Sequence, residues 1–76
     1  MTQLTATQQA GLEFKIARLR TGITPKTLAK RTGMSASNIS GIEHGRHDTR
    51  IGTLEALAQA AGLELKIEFV AKGDKS

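Results

Sequence analysis

The sequence predicts a mainly α domain of four to five helices closed by one C-terminal β-strand. Three observations lead there. Four segments carry apolar residues at helical spacing, Gly and hydroxyl residues bracket most of them, and the last apolar segment changes its period from 3.6 to 2. The 76 residues include two Phe but no Trp, Tyr or Cys, which suffices for one small core and a single domain spanning 1–76. Without disulfides or a Cys-based zinc site, a second copy of the chain is the expected source of further burial.

The first helix starts at a hydroxyl cap, Thr5 or Thr7, runs to about Thr21 and stops at Gly22. It carries two apolar stripes: Ala10, Phe14 and Ala17 on one side, with Leu12, Ile16 and Leu19 about 200° around the axis. A surface helix needs only one stripe. The second faces a partner subunit or another part of the fold, the alternative being a helix buried on two sides. Thr24 followed by Pro25 opens a second helix reaching about Thr32, because a hydroxyl satisfies an orphan amide and Pro has no amide to lose. Leu28 and Ala29 point inward on it, Lys26, Lys30 and Arg31 point to water, and Gly33 supplies the exit.

Ser35 restarts the chain as a third helix that buries Ile39 and Ile42 and ends at Gly45. Residues 25–45 thus form helix, short turn, helix. Asp48 and Thr49 are the expected caps of a fourth helix, IGTLEALAQAAG, with Ile51, Leu54, Leu57, Ala58 and Ala61 on one face and Gly62 as its stop.

In LELKIEFV, residues 63–70, Leu63, Leu65, Ile67 and Phe69 alternate with Glu64, Lys66, Glu68 and Val70, the pattern of a strand. A lone strand leaves its backbone amides and carbonyls unpaired. The expected partner is the same strand of a second copy, antiparallel, which makes Leu63, Leu65, Ile67 and Phe69 dimerisation residues. The alternative partner is the MTQLTA segment. AKGDKS is expected to be a frayed tail.

Eleven Lys and Arg against seven Asp and Glu give a net charge of +4, which favours anionic partners. The excess lies in the middle. From Phe14 to Arg50 there are Lys15, Arg18, Arg20, Lys26, Lys30, Arg31, Arg46 and Arg50 against only Glu43 and Asp48. No apolar run approaches the ~18 residues of a membrane span, so no membrane role is expected. The polar start lacks the pattern of a secretory signal and Cys is absent, so the expected location is cytoplasmic. A ligand cavity of roughly 300–1,000 Å³ would consume much of so small a core, and neither a phosphate-cradling Gly loop nor a supported Ser/His/Asp set is present. No enzymatic activity and no cofactor are expected. His44, His47 and Asp48 lack a third strong ligand, so no metal is expected either, and the two His read as loop residues near DNA or solvent.

TPKTLAKRTGMSASNISGIEHGR resembles the helix-turn-helix of the lambda-repressor-like, xenobiotic-response-element (XRE) family of DNA-binding regulators. The likeness rests on the apolar spacing, Ala29 at the helix contact, Gly33 at the turn, and the closing Ile39, Glu43 and Gly45. With Arg18 and Gly22 before it and TLEALAQAAGL after it, it covers roughly residues 14–65. The resemblance implies that Arg18 and Glu43 pair inside the bundle as a structural ion pair. A helix about 10–12 Å across fits the major groove, and its first residues reach base edges. Here those are Ala36, Ser37, Asn38 and Ser40; the family often carries Gln near these positions, whereas this sequence has Ala36 and Gly41. Asn38 suits adenine, the Ala36 methyl suits thymine, and the two Ser suit several bases. Lys26, Lys30, Arg46 and Arg50 flank this helix as expected phosphate contacts.

The function expected from these residues is an autoregulatory transcriptional repressor, binding a palindromic operator in double-stranded DNA as a homodimer. Four helices followed by a strand also resemble the subgroup containing the HipB-type antitoxins. That likeness implies the alternative role of holding a kinase-like or RNase-like toxin while repressing its own operon. The lack of a ligand-sensing domain in the sequence favours control by a partner, by degradation or by concentration.

Overall fold

Four helices follow one another in the described chain, residues 4–72 of a computed structural model: α1 (Ala6–Thr21), α2 (Pro25–Thr32), α3 (Ala36–Glu43) and α4 (Ile51–Ala60). Three begin at hydroxyl caps. Thr5 closes a reciprocal box with Gln8, its Oγ1 accepting from the Gln8 amide at 3.1 Å while Gln8 Oε1 accepts from the Thr5 amide at 3.0 Å. Thr24 and Ser35 accept from the amides of Thr27 and Asn38 at 3.2 and 3.0 Å. Thr7, the other candidate cap of α1, lies inside the helix.

The fourth helix corrects an expectation. Its cap is Arg50, without a side-chain bond, rather than Asp48 or Thr49. Asp48 is drawn elsewhere: its carboxylate accepts from the Thr7 hydroxyl at 3.0 Å, across to α1. Thr49 Oγ1 is buried and has no hydrogen-bond partner among the described residues.

Phe14, Leu28, Ile39, Ile42, Leu57 and Ala61 form the core, with Ile23, Ala29, Met34, Leu54, Ala60 and Leu63 packed around it. Each helix sends at least one residue inward. The second stripe of α1 does not join them: Leu12, Ile16 and Leu19 are 42, 42 and 59% exposed. Ile51 also departs from the inward face expected for it. Standing at the first position of α4, it lines the rim of an apolar groove of about 660 Å³ between α1 and residues 63–68 instead of the core.

Helices α1 and α3 cross closely because Gly11 has no side chain. A Cβ there would collide with the carbonyl oxygen of Ile42 and lie 2.8 Å from that of Glu43. Backbone thus meets backbone at the crossing, which leaves no freedom for α3 to slide.

Residues 63–72 form neither helix nor a paired strand among the described residues. Among the described residues the alternating pattern of 63–70 therefore exists without a ladder. Met1 to Gln3 of the alternative partner MTQLTA, and residues 73–76 of the tail, lie outside the described residues. No described helix is long and apolar enough to cross a membrane.

Candidate nucleic-acid interface

The turn between α2 and α3 is set by Gly33, whose φ of 79° lies in the left-handed region where a side chain is strained. Its amide donates to the Ala29 carbonyl at 2.9 Å, ending α2. Two residues later Ser35 starts α3. The inward face of α3 is fully committed, with Ile39 and Ile42 in the core. Its amino end points the other way: Ala36, Ser37 and Asn38 are exposed, and Ser40 is half-buried.

A buried ion pair fixes the far end of α3. Arg18 of α1 grips Glu43 with both arms, Nε to Oε2 at 2.6 Å and Nη2 to Oε1 at 3.2 Å. Its Nη1 donates to the Ile23 carbonyl at 2.8 Å. One guanidinium thus joins α1, α3 and the segment entering α2. Bidentate geometry fixes orientation as well as distance, so α3 is held in rotation about its axis. A second tie runs from Arg31 Nη1 to the Ala60 carbonyl at 2.6 Å, linking α2 to α4.

Lys26 and Lys30 stand exposed on α2, and Arg46 and Arg50 stand exposed in the segment between α3 and α4. Among the described residues none of the four forms a salt bridge, so their charges face water. The exposed surface thus includes short side chains at the amino end of α3, and cations on α2 and in the segment that follows α3. Such a surface suits a polyanion whose groove receives a helix.

Residues 9–66 match the helix-turn-helix domain family, more than half of the chain. The chain belongs to the helix-turn-helix family. It is also similar to the uncharacterized HTH-type transcriptional regulator y4dJ of Sinorhizobium fredii (strain NBRC 101917 / NGR234), 33% identical over 66 residues that cover 87% of this chain and 84% of the relative. No solved structure gives a significant match. Membership places this helix-turn-helix protein among DNA-binding regulators rather than enzymes.

The four residues expected at a strand-mediated dimer interface do not share one environment. Leu63 packs against the protein's own core and Leu65 is half-buried, whereas Ile67 and Phe69 are 53 and 96% exposed. Among the described residues, the outer pair is the more exposed. Two features of the helix-turn-helix went unread in the sequence: the need for Gly11 at the α1–α3 crossing, and the placement of His47 beside Gly41 on α3. Their signal was an isolated Gly inside each helical pattern, which marks a close approach.

Proposed function

We propose that the protein is a sequence-specific transcriptional repressor that binds a palindromic operator as a homodimer and regulates its own gene. The observation that carries this reading is the exposed amino end of α3, locked in orientation by the Arg18–Glu43 pair on its opposite end. Ala36, Ser37, Asn38 and Ser40 read base edges. Asn38 is the strongest of them, since its amide can bond adenine twice and makes no other side-chain hydrogen bond among the described residues. Lys26, Lys30, Arg46 and Arg50 hold phosphates, and pairing of residues 63–70 between copies sets half-sites about one turn (~34 Å) apart.

Selection of bound duplexes from a random pool at near-physiological salt tests this directly. A two-fold symmetric motif is the expected product, and the absence of any enriched sequence rejects the reading. With that motif in hand, Asn38→Ala should cost ~1–3 kcal/mol of discrimination at one base pair per half-site. Arg46→Ala should weaken all sequences alike and reduce the salt slope by about one.

The exposed stripe of Leu12, Ile16 and Leu19 favours a second reading, in which the same dimer is an antitoxin whose outer surface binds a toxin. Co-purification of a defined partner that masks this stripe supports it.

A further inference from the structure

Gly41 interrupts a row of side chains on α3. It stands four residues after Ser37 and three before His44, so the three lie on one helical row. Ser37 and His44 are exposed, yet Gly41 between them is buried. What covers it is the imidazole of His47. A Cβ at position 41 would lie 2.9 Å from His47 Cε1 and 3.6 Å from Nδ1, inside the space the ring occupies.

The backbone brings the loop against α3 beside this ring. The Arg46 amide donates to the Gly41 carbonyl at 3.0 Å, which ties the loop to the very residue that His47 covers. His47 itself remains exposed, and no hydrogen bond among the described residues occupies either of its ring nitrogens. His44 differs: its Nδ1 lies 2.8 Å from the Ser40 carbonyl oxygen and is engaged with α3's own backbone.

From this we infer that His47 is a base-reading residue, filling from the loop the place that a side chain at position 41 would take on α3. The inference rests on α3 being the groove-entering helix. An imidazole offers one donor and one acceptor edge, so it bonds purine N7 or O6 or a cytosine amino group in the major groove. Gly41 is the condition for this arrangement, because any side chain at that position would push the ring aside.

The test compares wild type, His47→Ala and Gly41→Ala in selection from a random duplex pool, followed by affinity measurements on the enriched and on random DNA. For His47→Ala the preference at one base pair per half-site should fall roughly tenfold, with the salt slope unchanged. Gly41→Ala keeps the imidazole but displaces it, and should alter preference at that same base pair while helical content and melting temperature are maintained. An equal loss on all sequences with a reduced salt slope would make His47 a phosphate contact and overturn the inference. So would unchanged preference in both variants, which would leave His47 a spacer. Failure of the wild type itself to enrich any motif would instead reject the DNA-reading role of α3, and the inference with it.

Discussion

The crossing of α1 over α3 and the segment after Gly62 treat their side chains in opposite ways. At the crossing Gly11 lets backbone touch backbone, and Arg18 and Glu43, only 5 and 6% exposed, form a bidentate pair that the Ile23 carbonyl completes on the Arg18 side. After Gly62, Ile67, Phe69 and Val70 stand 53, 96 and 76% exposed. The first region is complete within one chain. The second places large apolar side chains in water, where one as fully exposed as Phe69 forgoes roughly 1.5–3 kcal/mol of burial. These are the side chains that the proposed pairing with a second copy would cover.

The contrast can be broken most severely at the ion pair. Glu43→Ala strands the Arg18 guanidinium in the interior and should cost ~3–5 kcal/mol in denaturant unfolding, because an unpaired buried charge loses solvation with nothing in return. Retention of full stability would mean that the pair is open to water. Next in size, Gly11→Ala forces α1 away from α3 and should cost ~1–3 kcal/mol, visible as a lower melting temperature. A neutral outcome would show the crossing to be looser than the carbonyl contacts require.

The segment after Gly62 sharpens the comparison internally. Leu63→Ser should destabilise by ~1–2 kcal/mol, since Leu63 packs on the core. At Phe69, 96% exposed, Phe69→Ser should change monomer stability by less than ~0.5 kcal/mol. Its expected effect is instead on mass, read by analytical ultracentrifugation as a shift from dimer toward monomer. Unchanged mass would reject residues 63–70 as the dimer contact. The smallest effect has the opposite sign: Thr49→Val removes a buried, unpartnered hydroxyl and should raise stability by ~1 kcal/mol.

Caps and turns were legible because their partners lie close along the chain. Thr5, Thr24 and Ser35 each accept from an amide three residues on, and Gly22 and Gly33 end helices through local backbone geometry, so those boundaries follow from short-range order alone. The inward residues Phe14, Leu28, Ile39, Ile42 and Leu57 were legible for a related reason, since helical period sorts side chains by face. Asp48 shows where this stops. It has the chemistry of a cap, but a hydroxyl 41 residues away takes its carboxylate, leaving α4 to start at Arg50 without a side-chain cap. Long-range competition of that kind has no trace in local spacing. The same holds for Ile51, turned to a groove rim, for the backbone contact that requires Gly11, and for His47 lying over Gly41. Each depends on where a distant segment comes to rest, and close packing of the four helices decides that only when all of them are in place.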